Sequence, residues 1–256
     1  MTLSGAIDLV RQARRRLRYL GLRYRCPFCG SHLRKMLPFG LKLEVFDKAH
    51  VVGGGYRENV LCPVCYSSDR ERLLLLFIKE RTTLLQKPQR ILHFAPERHI
   101  RQLLTATPGV FYCSADLAMP GVQVRLDIAR LPFRDGCFDF IICCHVLEHV
   151  MDDEKAMRQL HAALRPGGQA IIQVPIGFAL KSTFEDPTVA PADREKTFGQ
   201  DDHVRLYALD VVQRLEAAGF RVRTEFPGRD RGDGRVERVA VNPEEPVFVC
   251  ERPPAD

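Results

Sequence analysis

From Gln89 onward, short apolar runs alternate with stretches of helical periodicity, and this alternation limits the possible folds more than any other feature of the sequence. It is typical of βαβ units, in which helices connect parallel strands and cover both faces of one sheet. We therefore predict a doubly wound α/β domain. Its seven predicted strands lie at Arg90–Phe94, Val110–Ser114, Val122–Arg125, Phe138–Cys144, Gln169–Val174, Phe220–Glu225 and Pro246–Glu251.

The chain before this domain divides into smaller units. Residues 1–22 combine apolar residues at three- and four-residue spacing with many arginines, which predicts a basic amphipathic helix. Residues 23–68 form a cysteine-containing module. The pattern of residues 69–87 predicts a linking helix that runs toward Leu85. Ser67, Ser68 or Asp69 would cap its N-terminus. Residues 88–256 form the α/β domain, with a polar loop at Gly228–Arg235 between its last two strands.

Four of the nine cysteines form two Cys-x-x-Cys pairs, Cys26 with Cys29 and Cys62 with Cys65. Each pair places two thiolates on one tight turn, and two such pairs are the usual source of a tetrahedral zinc site. The 32 residues between the pairs exceed the usual ribbon spacing of about 15 to 20, which indicates a longer loop. A thioredoxin-like redox role is disfavoured because neither pair stands at a strand-to-helix junction. We expect a structural zinc ion, since four thiolates leave no position open for a substrate.

The net charge of +6 is concentrated near the N-terminus. Nine basic residues and no acidic residue lie between Arg11 and Lys35, so the rest of the chain has 29 basic and 32 acidic residues. This basic arm indicates an anionic partner such as RNA or a membrane surface, although a solvated extension has the same composition. The sequence contains neither an apolar run that could form a transmembrane segment nor a secretory signal, so we expect a cytoplasmic protein.

Residues suited to a nucleotide-like ligand stand at the ends of the predicted strands, where open α/β sheets bind such ligands. Asp116 ends the second strand, where a carboxylate accepts hydrogen bonds from ribose hydroxyls. Asp127 follows the third strand and can accept from an adenine amino group while Ile128 packs on the ring. The first strand is not followed by a Gly-x-Gly-x-x-Gly motif, so a nicotinamide dinucleotide has no evident pyrophosphate site.

Several motifs follow one another along these segments. They are the acidic strand end, Asp127-Ile128, Leu131-Pro132-Phe133, Phe138-Asp139, His145-Val146-Leu147-Glu148-His149 and Leu164-Arg165-Pro166-Gly167-Gly168. In this order they resemble class I S-adenosylmethionine-dependent methyltransferases of the type 11-like group. More narrowly, the chain looks like a bacterial subgroup with an N-terminal four-cysteine zinc ribbon. The resemblance implies a Rossmann-like methyltransferase sheet and S-adenosylmethionine as cofactor.

The resemblance also implies a cofactor site at the strand ends. Its expected residues are Phe94, Ala95, Pro96, Glu97, Asp116, Leu117, Asp127, Ile128 and His145. The first loop departs from the family pattern, because Ala95, Pro96 and Glu97 stand where closely spaced glycines let the backbone approach the methionine portion. We expect Glu97 to compensate by pairing with the methionine ammonium, or else to cap the following helix.

Methyl transfer is an in-line displacement, so the protein chiefly has to hold the acceptor in line with the methyl group. A base is needed only where the acceptor must lose a proton. His203 is the favoured base, because Asp201 and Asp202 beside it are expected to raise its pKa and orient its ring. His145 and His149, which follow the fourth strand, are further candidates for a catalytic role.

Asp202, Arg205 and Tyr207 follow the fifth strand, where this fold usually builds its substrate lid, and we expect them to bind the acceptor. Arg205 would hold an anionic group. Three functions remain open at this point: O- or N-methylation of a small molecule or glycan, methylation of RNA held by the zinc ribbon and basic arm, and non-catalytic binding with a degenerate cofactor loop. The module has few aromatic residues spaced for base stacking, which disfavours RNA.

Overall fold

The computed structural model describes residues 3–229 and 234–254. The helices are α1 Leu3–Arg18, α2 Glu44–Ala49, α3 Asp69–Arg81, α4 Arg98–Ala106, α5 Asp153–Ala163, α6 Arg194–Phe198, α7 Val211–Ala217 and α8 Arg235–Val239. Short 3-10 turns lie at Leu147–His149 and Pro191–Asp193. The strands are β1 Leu20–Arg25, β2 His32–Leu33, β3 Leu37–Phe39, β4 Val51–Val52, β5 Arg57–Leu61, β6 Gln89–Phe94, β7 Val110–Asp116, β8 Val124–Arg125, β9 Phe138–Cys144, β10 Leu164–Gln173, β11 Ile176–Gly177, β12 Phe184–Glu185, β13 Arg205–Leu206, β14 Arg221–Glu225 and β15 Val247–Glu251.

One seven-stranded sheet organises the chain, in the order β14-β15-β10-β9-β6-β7-β8. The strands from β6 to β10 run parallel, whereas β15 pairs antiparallel with both β10 and β14. The predicted doubly wound, seven-stranded sheet is therefore confirmed. The strand order reverses beside β6, which lies between β7 and β9. In sheets of this kind, the crevice at such a reversal is where ligands bind.

The strand limits agree with the prediction to within one residue except at the second, third and fifth strands. The second strand, β7, extends to Asp116, and the third, β8, has only two residues. The fifth, β10, begins at Leu164, which pairs with Phe138 before the register shifts at Gln169. The predicted polar loop at 228–235 lies partly outside the described residues.

Helices cover both faces of this sheet. Ile141 and Ile142 are neighbours in β9, and they point to opposite faces because side chains alternate along a strand. Ile141 packs in one buried cluster with Met157 of α5, and Ile142 packs in another with Leu74 of α3 and Leu104 of α4. Burial of each such side chain contributes about 2 kcal/mol. The linking helix α3 is therefore part of the core of the α/β domain.

Helix α3 spans Asp69–Arg81 and ends before the predicted limit near Leu85. Ser68 is its N-cap, and the Ser68 hydroxyl accepts a hydrogen bond from the backbone N–H of Glu71. The Glu71 carboxylate in turn accepts from the Ser68 N–H at 2.9 Å, which completes a capping box. The helix stops where Thr82 adopts an extended conformation.

A single buried arginine ties α3 to two other parts of the chain. Arg72 donates hydrogen bonds to the backbone carbonyls of Val60, Ser67, Val239 and Ala240, at 2.6–2.8 Å. Burial lowers the pKa of Arg72, but its donors are satisfied by these carbonyls. The side chain therefore joins the cysteine module, the start of α3 and the segment that precedes β15.

The cysteine module also packs against the chain that follows β10. Strand β4 pairs antiparallel with β11, with Val52 opposite Ile176. Ala49 of α2 and Phe198 of α6 are buried in one small apolar cluster. Residues 44–55 of the module are thus integrated into the α/β domain.

Helix α1 ends at Arg18, earlier than the predicted limit of residue 22, because β1 begins at Leu20. Val10 and Leu17 of its apolar stripe are 54% and 76% exposed, so these two side chains are not packed on the body of the protein. Within residues 3–229 and 234–254, no helix combines the length and the apolar character needed to cross a membrane.

Candidate functional site

A cleft of about 550 Å³ opens at the carboxyl ends of β6, β7 and β9. We call it the strand-end cleft. Most of the residues predicted to bind a cofactor line it, namely Phe94, Ala95, Asp116, Leu117, Asp127, Ile128 and His145. His149 and Asp202 contribute to another wall. The structure therefore brings the residues at the strand ends to one cleft, as parallel strands require.

Asp116 and Asp127 are held in place by their own loops. One oxygen of Asp116 accepts hydrogen bonds from the N–H groups of Ala118 and Met119, both at 2.7 Å. Asp127 accepts from the N–H of Ala129 at 2.8 Å. Both carboxylates consequently keep a fixed orientation at the wall of the cleft.

The loop after β6 bends at Ala95, whose φ of +42° lies in the region that favours glycine. Pro96 and Glu97, which we predicted to contact the cofactor, lie outside the lining of the strand-end cleft. The Glu97 carboxylate instead lies 2.8 Å from Nε2 of the buried His93. Glu97 occupies the N-cap position of α4, but its side chain makes no capping hydrogen bond. It lines an adjoining cavity of about 360 Å³, which reaches Ala95 and His145.

Arg205 holds the turn that follows β9, so the prediction that it binds an acceptor is wrong. The side chain of Arg205 is only 4% exposed. Its guanidinium donates to the backbone carbonyls of Leu147 and Met151 at 2.9 Å, to that of Val150, and to the carboxylate of Glu185 at 2.9 Å. With its donors engaged in this way, Arg205 supports residues 147–151 from behind the site.

Tyr207 is also a buried support, contrary to the prediction that it binds the acceptor. Its hydroxyl donates a hydrogen bond of 2.6 Å to Asp153, and burial raises the pKa of Tyr207. Asp202 differs from both, because its side chain is largely exposed at the strand-end cleft and lies 3.0 Å from Nδ1 of His149. Of the three residues predicted to bind the acceptor, Asp202 is therefore the one that reaches the site.

A second cavity of about 410 Å³ adjoins the strand-end cleft and shares His145 and His149 with it. We call it the module-side cavity, because the cysteine module forms one of its walls. The module contributes Phe39, Gly40, Leu41, Phe46, Gly53, Gly54, Gly55 and Arg57. The remaining lining residues are Arg70, His145, Glu148, His149, Pro175, Gly199, Gln200 and His203.

The Gly53–Gly55 turn is fixed in this wall by two arginines. Arg57 binds the carboxylate of Asp69 through two contacts of 2.8 and 3.1 Å, and it also donates to two carbonyls of the turn. Arg70 donates to a third carbonyl of the turn at 3.3 Å. A Cβ at the first glycine would lie 3.3 Å from Oε1 of Glu245. The turn thus packs closely on a buried carboxylate.

Four titratable side chains crowd together on the wall of the module-side cavity, namely His145, Glu148, His149 and His203, and the buried Glu245 lies next to His145. His145 lies 3.3 Å from Oε1 of Glu148 and 3.8 Å from Oε1 of Glu245, and the rings of His149 and His203 meet edge to face. Burial raises the pKa of Glu148, but the neighbouring imidazoles have the larger combined effect and lower it. Among the described residues, Oε2 of Glu148 and both carboxylate oxygens of Glu245 have no hydrogen-bond partner.

His203 does not have the environment that we predicted for a base. Its ring is 4% exposed, and Nδ1 lies 3.2 Å from the carbonyl oxygen of Phe198. Burial lowers the pKa of His203, whereas we expected the neighbouring aspartates to raise it. The expected direction is wrong because desolvation outweighs the attraction of the carboxylates, and because Asp202 pairs with His149 instead.

The four cysteines predicted to bind zinc come together in the module. The Sγ atoms of Cys26 and Cys65 lie 3.6 Å apart and those of Cys29 and Cys62 lie 3.8 Å apart, and all four lie within 4.8 Å of one another. A zinc–sulfur bond of about 2.3 Å gives a tetrahedron with edges of about 3.8 Å, so the spacing fits this ion.

The family comparison concerns the central strands of the sheet. Residues 108–172 match the family model described as "Methyltransferase domain". This part of the chain therefore resembles a methyltransferase domain. A solved S-adenosylmethionine-dependent methyltransferase from Mesorhizobium loti has the same fold, with a TM-score of 0.50 and 15% identity over 72% of this chain and 97% of that one.

Curated relatives match this chain over part of their length. The chain is 36% identical over 110 residues to an uncharacterized 37.1 kDa protein in transposon TN4556 of Streptomyces fradiae, covering 43% of this chain and 32% of that one. It is 29% identical over 75 residues to norajmaline N-methyltransferase of Rauvolfia serpentina, covering 27% and 26%. It is 28% identical over 104 residues to a Mycolicibacterium smegmatis protein named "Probable S-adenosylmethionine-dependent methyltransferase", covering 40% and 37%.

The chain therefore spans between 26% and 37% of the length of these relatives. The family model and the names of two of these relatives refer to methyltransferases.

Sequence reasoning missed Arg57 and Arg70, which line the module-side cavity, and Glu245, which lies next to His145. The glycine run at 53–55 was the one signal that pointed to a close backbone approach, but it gave no indication of the partner. Glu245 lies 100 positions from His145, and a lone acidic residue before the last strand carries no local pattern.

We expect Gly53→Ala to destabilise the protein more than Gly121→Ala does. The φ angles of these glycines are +83° and +77°, so each alanine costs roughly 1 kcal/mol in backbone strain. At Gly53 the new Cβ would also crowd Glu245 at 3.3 Å, whereas at Gly121 the nearest atom, in Arg101, lies at 3.9 Å. Thermal unfolding followed by circular dichroism should show an extra loss of about 1 kcal/mol for Gly53→Ala. Equal melting temperatures for the two variants would contradict the close packing of the turn.

Proposed function

We propose that the chain transfers the methyl group of S-adenosylmethionine to an oxygen or nitrogen atom of a compact acceptor, a small molecule or a glycan. The observation that carries this proposal is the junction of the strand-end cleft and the module-side cavity at His145 and His149. A cofactor in the cleft and an acceptor in the cavity would meet at these side chains. In-line displacement requires such a meeting of the two reactants.

In this proposal the strand-end cleft holds the cofactor. Asp116 accepts hydrogen bonds from the ribose hydroxyls, Asp127 accepts from the adenine amino group, and Ile128 packs on the adenine ring. The methionine portion then passes Ala95 into the adjoining cavity, where Glu97 offers a carboxylate to its ammonium group. The carboxylates of Asp116, Asp127 and Glu97 place negative charge along this path, which suits a cofactor whose sulfonium is positively charged.

The conformation of the first loop favours an intact cofactor site over the non-catalytic alternative. That alternative depends on the loss of the glycines from the loop after β6. Ala95 nevertheless adopts a positive φ of +42°, the conformation for which glycine is ordinarily chosen. The loop therefore keeps the bend while its sequence differs.

The shape of the module-side cavity favours a compact acceptor. Its volume of about 410 Å³ lies within the usual range for small-molecule sites, about 300–1,000 Å³. The ring of Phe46 packs so tightly against Gly199 that any Cβ at that glycine would clash with it, which narrows the outer side of the cavity. The name of the Rauvolfia relative, norajmaline N-methyltransferase, also indicates a small-molecule acceptor for that protein.

On the acceptor side, we propose that His145, His149 and His203 orient the acceptor or receive its proton. His149 has the most direct access, because it lines both the cleft and the cavity. Asp202, 3.0 Å from Nδ1 of His149, would orient this ring. During transfer the carbon–sulfur bond of the cofactor breaks as the bond from the methyl carbon to the acceptor forms.

Calorimetry with S-adenosylmethionine tests the cofactor site. We expect saturable binding by the wild-type chain and binding about tenfold weaker by Asp116→Asn, because a neutral amide accepts the ribose hydroxyls less strongly than a carboxylate does. Asp135→Asn, at an exposed aspartate outside the cleft, should bind like the wild type.

The absence of saturable binding at millimolar cofactor would contradict the proposed activity. Equal affinity of the wild type and Asp116→Asn for S-adenosylmethionine would contradict the proposal that Asp116 binds the ribose hydroxyls. Steeply salt-dependent binding of RNA by the intact chain would favour an RNA acceptor over a small molecule or glycan.

We also propose that the four cysteines bind a structural zinc ion. The supporting observations are the distances between the Sγ atoms, which match the edges of a zinc–thiolate tetrahedron, and the burial of Cys26 and Cys62. The positive charge of zinc would offset the negative charges of four converging thiolates. Its coordination sphere would be filled by Cys26, Cys29, Cys62 and Cys65. Its role would be to hold the module that forms one wall of the acceptor site.

Metal analysis of the purified chain tests this assignment. We expect close to one zinc ion per chain, with Cys62→Ser losing most of the metal and melting at a lower temperature. Cys137→Ser is the matched control and should retain both zinc and stability, because Cys137 lies outside the cluster. Zinc content that Cys62→Ser leaves unchanged would contradict the four-cysteine site.

A further inference from the structure

A second group of possible metal ligands lies on the wall of the module-side cavity. Glu148, His149 and His203 each offer one ligand atom, and the three atoms lie within 4.8 Å of one another. These residues come from the turn after β9 and from the segment that precedes β13, so tertiary packing brings them together. They are separate from the four cysteines.

Glu148 gives an independent indication that this group holds a cation. Its side chain is 2% exposed, and within the described part of the chain its Oε2 atom has no hydrogen-bond partner. A buried carboxylate oxygen without a partner is costly, because it has lost hydration without replacement. A metal ion bound to this oxygen would remove that cost.

The outer contact of His203 matches that of a metal ligand, because its Nδ1 lies 3.2 Å from the carbonyl oxygen of Phe198. Histidines that bind metals usually direct the second ring nitrogen to a carbonyl or carboxylate in this way. This arrangement leaves Nε2 of His203 as its ligand atom. Nδ1 of His149 is buried, lies 3.0 Å from the carboxylate of Asp202 and, within the described part of the chain, makes no hydrogen bond.

We propose that Glu148, His149 and His203 bind a divalent transition-metal ion that holds and activates a hydroxyl group of the acceptor. Two imidazoles and one carboxylate suit Mn²⁺, Fe²⁺, Co²⁺ or Zn²⁺ better than Ca²⁺, which prefers oxygen ligands alone. Three protein ligands leave coordination positions open for an acceptor. The inference rests on the proposed methyltransferase function, and it specifies the acceptor atom as oxygen.

The metal defines both the reaction and the acceptor class. The ion would stabilise the oxyanion of a bound hydroxyl, and His145, which lines the same cavity and is not one of the three ligands, would receive the hydroxyl proton. The oxyanion forms a bond to the methyl carbon, the carbon–sulfur bond breaks, and its electron pair stays on sulfur as neutral S-adenosylhomocysteine. An acceptor with a second oxygen beside the hydroxyl, such as a vicinal diol or a catechol, would occupy two open positions of the ion.

Titration of the zinc-loaded full chain with Mn²⁺, followed by electron paramagnetic resonance, tests the site. Mn²⁺ is a suitable probe because it binds thiolates weakly and leaves the zinc cluster intact. We expect saturable binding of one Mn²⁺ per chain, weakened at least about tenfold in both Glu148→Gln and His149→Gln. His50→Asn is the control and should bind Mn²⁺ normally, because His50 is exposed and its φ of +51° suits asparagine.

The proposal would be overturned if the wild type showed no saturable Mn²⁺ binding, or if wild type and His149→Gln bound Mn²⁺ with equal affinity. Either result would indicate that the neighbouring histidines, without a metal ion, offset the negative charge of Glu148. His149→Gln decides the result if Glu148→Gln fails to fold, because the His149 side chain is 29% exposed. Calorimetry with S-adenosylmethionine separates the two levels of inference. If the chain binds the cofactor but not Mn²⁺, only the proposed metal site is contradicted. If it binds Mn²⁺ but not the cofactor, the proposed methyltransferase function is contradicted and the metal site is supported.

Discussion

The buried guanidinium of Arg205 donates to the backbone carbonyls of Leu147, Val150 and Met151 in the turn after β9, and both cavities of the site depend on the position of that turn. Buried backbone carbonyls need hydrogen-bond donors, and this one guanidinium supplies donors to three carbonyls that follow β9. His145 and His149 are thereby placed between the strand-end cleft and the module-side cavity. The proposed meeting of cofactor and acceptor is a consequence of this support.

The cysteine module is the second structural requirement of the site. Its Gly53–Gly55 turn is held by Arg57 and Arg70 and packs on Glu245, which belongs to the segment before the last strand. Strand β4 joins the same module to β11, directly after the central strand β10. A zinc ion bound by the cysteines would thus act at a distance, by stabilising a wall that faces the acceptor.

The sequence was sufficient for those features that follow from local pattern. Apolar runs located the strands, and Asp116 and Asp127 line the cleft because parallel strands end at one edge of a sheet. Arg205 and Tyr207 were misassigned because their position along the chain does not show whether a side chain faces the site or the core. The contact between Glu245 and the glycine turn depends on tertiary packing, which no periodicity reveals.

The central claim is that the cysteine module and the α/β domain form one unit around the proposed acceptor site. Hydrogen–deuterium exchange, measured with and without the zinc ion, tests it most directly. The N–H groups of Phe178 and Ala179 donate to the carbonyls of His50 and Ala49 in the module. Removal of zinc should therefore accelerate exchange at 178–179 as well as within 26–65, while exchange in the central strand at 170–172 stays slow. Acceleration confined to residues 26–65 would contradict the claim.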